Sequence, residues 1–217
     1  MKTNLLKDAL FAFVSGFIAP TLKLKRRVHF PGIRRRETLA EHVIQLLYAS
    51  EFIIKHYNLN LDIHKVRSYI LGHDMSEPFT PHARKNGFDI CKFRDKNLVA
   101  NKKEIENNAL ICLLRQFPEL EDLGQASLDY DEHKDDEANF VKALDALLPL
   151  VNVTIDEGRT HKIDRITLEA WREDREKKVK LDPTLSLYYF DFLLPLLQEN
   201  EEELFHQDKR QGELDFK

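Results

Sequence analysis

The stretch YILGHDMSEPF, residues 69–79, decides how the rest of the chain is read. It opens with an apolar run, sets His73 beside Asp74, adds Glu77 and breaks at Pro78. Apolar residues at helical spacing demand a buried face, yet two side chains that are costly to bury stand at its end. Either they turn into solvent at the helix terminus, or they meet a charge or a metal ion in the interior.

Neighbouring segments share the 3.6-residue period, and no period-2 strand stands out. The pattern predicts helices over about 4–18 (ending before Pro20), 38–57, 61–73, 102–117, 136–157 (closed by Gly158), 164–180 and 184–205. Residues 75–100, with Pro78, Pro81 and Gly87, read as a long irregular stretch of the kind that usually serves function. Pro149 and Pro195 fall inside helical patterns and predict kinks. The expected fold is all-α, a compact bundle of six or seven helices.

Composition fits that reading. A chain of 217 residues, 42% of them hydrophobic, without a Pro/Gly/Ser-rich linker, suggests one domain over 1–217. A motif core over about 22–157 and a helical C-terminal extension over 158–217 are expected within it. At this length roughly 70% of the unfolded surface can be buried, so no disulfide framework is needed. Two cysteines, Cys91 and Cys112, suit a reducing compartment. A net charge of −4 argues against bulk nucleic-acid binding. LKLKRRVHFPGIRRR (22–36) nevertheless concentrates cations and suits a phosphate. ALFAFVSGFIAP (9–20) is too short to span a bilayer and lacks a good cleavage site, so a core helix, no membrane partner and a cytoplasmic location are expected.

Other polar residues break the apolar pattern as His73 and Asp74 do. His42 shares a helical face with Leu39, Leu46, Ala49 and Ile53. Asp145 lies on the stripe of Ala138, Val141 and Leu148. A lone histidine on such a face is usually a satisfied core residue, but a core-facing carboxylate demands a partner. Together, two imidazoles and two carboxylates form a mixed N/O donor set suited to Mn²⁺, Co²⁺, Fe²⁺ or Zn²⁺, and the absence of cysteine disfavours structural zinc.

Three motifs carry a resemblance: EHVIQLL (41–47), GHDMSE (72–77) and FVKALDAL (140–147). In this order they resemble the HD superfamily of metal-dependent phosphohydrolases, whose H…HD…D pattern is met at His42, His73–Asp74 and Asp145. Within it the chain most resembles the 5'-deoxynucleotidase branch, which RRETLAEH (35–42) also fits.

That resemblance implies a divalent ion (Mg²⁺ joins the options) held by His42, His73, Asp74 and Asp145. The implied reaction is release of phosphate from (deoxy)nucleoside 5'-monophosphates, small-molecule substrates, by a homodimer. Glu77 would exchange a proton with the attacking water or the leaving oxygen. An ungapped alignment on His42 puts Arg27 at the family's phosphate-binding arginine, with Arg26 one residue away. His82 stands where the branch has an acid, as a third catalytic candidate, and Val28 replaces an aromatic that His29 or Phe30 nearby would supply. Arg84 and Lys85 are further candidate phosphate contacts. Two alternatives stay open: a deoxynucleoside triphosphate triphosphohydrolase with the same metal site, and a degenerate nucleotide-binding module without turnover.

Overall fold

The computed structural model describes residues 2–91, 93 and 95–207; residues 208–217 of the expected C-terminal extension lie outside the described residues. Its first helix, α1 (Lys2–Phe13), does not end before Pro20. It widens into a π-turn (Val14–Ile18) and continues as α2 (Ala19–Lys23). A π-turn relaxes the clash between a proline ring and the preceding turn, so the proline is carried without a break.

The basic stretch then departs from the all-helical expectation. β1 (Lys25–His29) pairs antiparallel with β2 (Arg36–Thr38), Lys25 opposite Thr38 and His29 opposite Arg36. Gly32, at φ +73°, supplies the left-handed residue of the connecting turn. Lys25 also bridges Phe88 in parallel, which ties the start of the irregular stretch to this ribbon. Five residues with three cations are too short and too charged to show an alternating apolar signal.

Thr38 starts α3 (Leu39–His56) through a capping box. Its hydroxyl accepts from Glu41 N, and the Glu41 carboxylate accepts from Thr38 N. Asp62 caps α4 (Ile63–Gly72). The stretch expected to be irregular contains a 3₁₀ turn (Glu77–Phe79), α5 (Pro81–Asn86) and the single turn α6 (Lys96–Val99). α7 (Lys102–Gln116) matches the sequence pattern, but α8 (Glu121–Asp131) was not foreseen, because its acidic and small residues blur the apolar stripe. α9 (Asp136–Ile155), capped by Asp135, passes through Pro149 as one helix. The helix expected over 164–180 is α11 (Leu168–Val179), preceded by the short α10 (Arg159–Asp164), which the sequence pattern did not show. The last is divided into α12 (Pro183–Tyr188), a π-turn before Pro195, α13 (Leu194–Glu199) and α14 (Glu201–Leu204).

The fold is all-α apart from this ribbon. α9 is long and apolar enough to cross a membrane by composition, and here it forms the centre of the core. Leu46 of α3, Ile70 of α4 and Phe140, Val141 and Leu150 of α9 share one buried cluster with Trp171, Val179, Leu185, Tyr189 and Phe205. The C-terminal helices are therefore part of the same core. Each such side chain contributes about 1.5–3 kcal/mol on full burial. α4 crosses α8 at Gly72, where a Cβ would lie 2.6 Å from Leu123 O. That close approach fixes the end of α4, where His73 and Asp74 follow.

Candidate active site

Three helices converge on the polar residues singled out in the sequence. His42 lies on the buried face of α3, His73 follows the last turn of α4 in helical conformation, and Asp145 projects from α9. One donor atom from each falls within 4.8 Å of the others. His42 Nε2, His73 Nε2 and Asp145 Oδ1 are all buried and lack a hydrogen-bond partner among the described residues. His42 Nε2 and Asp145 Oδ1 stand 3.1 Å apart without hydrogen-bond geometry. Three buried polar atoms turned on one point without partners are costly unless something binds them. Their N/N/O chemistry fits a divalent metal ion.

The outer nitrogens support this orientation. His73 Nδ1 lies 2.8 Å from Ile70 O, which only accepts, so Nδ1 carries a proton and Nε2 has its lone pair in the neutral ring; burial favours that neutral form, while Asp74 beside Nε2 raises the imidazole pKa. His42 Nδ1 lies 3.6 Å from Glu37 Oε1. Glu37 is completely buried, accepts from Gln45 Nε2 at 3.0 Å and Asn152 Nδ2 at 3.3 Å, and faces Arg26 Nε at 3.3 Å. Pro149 lacks the amide that would bond the carbonyl of Asp145, four residues earlier in α9.

Charge is tightly balanced here. Burial pushes the His42 imidazole down to about 4, with Arg26 adding to the effect, so it is neutral and able to ligate. Burial opposes ionisation of Asp145, but His42 and Arg26 prevail and hold its carboxyl well below the usual range. Burial likewise works against Asp74, and His73 and Arg26 overcome it. Asp74 is less directly placed than the other three. Its Oδ2 lies 3.0 Å from His73 Nε2 and accepts from Arg26 Nη1 at 2.8 Å.

The ribbon gives the two neighbouring arginines different partners. Consecutive side chains on a strand point to opposite faces. Arg26 reaches Asp74, Glu37 and, at 3.7 Å, Asp145. Arg27, favoured by ungapped alignment, instead lies 4.2 Å over the Phe88 ring with Asp95 at 3.8 Å, on the cavity wall. Glu77 is buried in the 3₁₀ turn. Lys102 Nζ donates to its Oε1 at 3.1 Å, while Oε2 has no partner among the described residues. Burial and the nearby Asp74 push its carboxyl well up, against the pull of Lys102.

Other expected contacts lie elsewhere. His29 is turned to Thr160, its Nδ1 3.0 Å from the hydroxyl, and Val28 faces the cavity instead. His82 Nε2 is 3.8 Å from Asp95, and Nδ1 is 3.3 Å from Asn86 Nδ2; neither His29 nor His82 lines the cavity. Arg84 and Lys85 occupy the exposed face of α5, away from it. A short helix can bury only one face, and α5 buries Ala83.

Arg26, Arg27, Asp74, Glu77 and Asp145 border a cavity of about 270 Å³. Sequence reasoning missed other parts of its lining: Asp89 and Lys102, and Trp171, Asp174, Arg175 and Lys178 from α11. The last four share one face at i, i+3, i+4 and i+7, a signal legible in the sequence but submerged in a charge-rich helix.

A family model described as an HD domain matches residues 19–183. No curated protein matches the chain. Among solved structures, one described as a predicted metal-dependent phosphohydrolase from Magnetospirillum magnetotacticum MS-1, at 1.37 Å resolution, aligns with a TM-score of 0.73. It is 21% identical, and the alignment covers 92% of this chain and 95% of that one. At this identity the likeness speaks for the fold.

Proposed function

The chain belongs to the HD-domain family, and from that premise we propose that it is a metal-dependent phosphohydrolase releasing phosphate from (deoxy)nucleoside 5'-monophosphates. The observation that carries this reading is the convergence of three buried donor atoms without hydrogen-bond partners among the described residues, from His42, His73 and Asp145, at a cavity that Asp145, Arg26 and Glu77 line. The structural relative's description as a metal-dependent phosphohydrolase names the same reaction class.

A divalent cation held by His42, His73, Asp145 and the adjoining Asp74 supplies Lewis acidity, which activates water and offsets charge developing at phosphorus. The residues do the rest. Arg26, fixed by Glu37 and Asp74, offers its permanent charge to phosphate oxygens. Glu77, whose carboxyl is pushed up by burial and the nearby Asp74, is suited to exchange a proton with the leaving oxygen. Ile90, Phe93 and Trp171 add apolar lining that limits the water around the reacting groups. The cavity of about 270 Å³ lies at the lower edge of ligand-pocket sizes, roughly 300–1,000 Å³, which favours a monophosphate over a triphosphate. We further propose a cytoplasmic location, where such nucleotides are found.

The test is product identification. The purified protein is incubated with Mn²⁺ or Co²⁺ and a panel of nucleoside mono- and triphosphates. Orthophosphate from monophosphates, abolished by a chelator and restored by metal, is the expected result. Release of triphosphate would replace this reading with the triphosphohydrolase. Stoichiometric metal without turnover on any member of the panel would defeat both.

A further inference from the structure

Cations on the cavity wall are not equivalent. Arg26, Arg27, Lys102 and Arg175 each have a carboxylate within 4.0 Å: Asp74 at 2.8 Å, Asp95 at 3.8 Å, Glu77 at 3.1 Å and Asp174 at 2.9 Å. Lys178 alone among these lining cations has no such partner among the described residues. It is half-buried, and its charge is felt at Asp145. Burial, with Arg175 and Lys142 close by, brings its ammonium down to about 8, with Asp145 and Asp174 pulling the other way. A desolvated cation without an anion is unfavourable, and the nearest place for an anion is the cavity it lines. Its placement is rigid, because Trp171 on the same face is buried against Tyr189 and Val179 follows it into the core.

We propose that Lys178, with Arg175 beside it, binds an oxygen of the substrate phosphate from the α11 wall, so that the anion is held from two elements, β1 through Arg26 and α11 through Lys178. This rests on the reading of the cavity as a phosphate-ester site. It makes the C-terminal helices part of substrate binding as well as of the core. The bland alternative is a lysine that covers apolar surface with its stem and serves no ligand.

Inorganic phosphate is the probe, titrated calorimetrically into full-length, Mn²⁺-loaded protein. Lys178→Met is expected to weaken phosphate binding roughly tenfold to a hundredfold, as loss of a charge-assisted contact does, and Lys178→Arg to restore part of it. Lys142→Met removes a nearby charge that is occupied by Asp131 and the Tyr130 ring, and is expected to change affinity by less than about threefold. Manganese content and melting temperature are read on the same samples, with Lys178→Gln as the second variant should the Met variant lose its fold. Unchanged phosphate affinity in Lys178→Met, an equal loss in Lys142→Met, or no phosphate binding by the parent protein overturns the proposal. Phosphate binding that depends on Lys178, without turnover of any nucleotide, keeps the subsite and sinks the nucleotidase reading alone.

Discussion

Arg26 Nη1 donates a 2.8 Å hydrogen bond to Asp74 Oδ2, and the same guanidinium faces Glu37 and Asp145. The neighbouring Arg27 points to Phe88 and Asp95. Arg26→Ala is therefore expected to lower kcat/KM about a hundredfold or more, and Arg27→Ala about tenfold or less. Steady-state kinetics of the two variants decide it; the reverse ranking would hand the phosphate to Arg27.

Glu37 touches His42 from behind, not from the cavity. Glu37→Gln keeps the shape but removes the carboxylate charge 3.6 Å from His42 Nδ1, and metal affinity is expected to fall roughly 10–100-fold. Competition with a fluorescent chelator measures it. Full affinity in the variant would remove Glu37 from the support of the site.

Glu77→Gln separates chemistry from assembly. Its carboxyl does not belong to the three-donor cluster, so metal content should stay stoichiometric while kcat falls about 10²–10⁴-fold. Metal analysis with single-turnover kinetics reads both, and loss of the metal would make Glu77 a ligand.

Gly72 permits α4 to lie on α8, since a Cβ there meets Leu123 O at 2.6 Å. Gly72→Ala should destabilise the protein by about 1–3 kcal/mol through overpacking and, by displacing His73, weaken metal binding. Urea unfolding and metal titration test the two effects separately. A variant as stable as the parent would show that the helices part freely.

His161, on the wall of the same cavity but outside the three-donor cluster, gives a pH dependence of its own. Buried against Phe205, with ring centroids 4.4 Å apart, its imidazole is brought down to about 4 by burial, against a backbone contact at Leu204 that pulls it up. It is thus neutral in the fold, whereas the unfolded chain takes up a proton near pH 6.5. Stability from this group is complete above the unfolded pKa and is lost as pH falls from about 6.5 toward 4. Between pH 7 and 5 the loss amounts to about 2 kcal/mol. His161→Gln should reduce that slope relative to the parent in urea titrations at the two pH values. An unchanged slope would mean that His161 is protonated in the fold.

Much of the site was legible because each part is local. The helical period put His42 and Asp145 on buried faces; Thr38 and Glu41 marked the start of α3, and Gly72 preceded the His73–Asp74 pair at the end of α4. Costly groups at core positions are visible in one dimension, since the period of a single helix defines its inward face. The missed α8 and α10 have the opposite cause: short, polar helices whose stability comes from neighbours rather than from a sharp apolar stripe.

By itself, then, the sequence determined the helical class, the HD order and the residues that must be satisfied in the interior. Tertiary structure alone decided that Arg26 meets Asp74, Glu37 and Asp145 while Arg27 lies over Phe88 on the cavity wall, that Glu37 lies behind His42, that His82 turns to Asp95, and that Lys178 reaches the cavity from α11. The first set follows from periodicity within one element. The second depends on the one-residue alternation of a short ribbon and on packing between helices far apart in the chain, where a shift of a single position exchanges an inward side chain for an outward one.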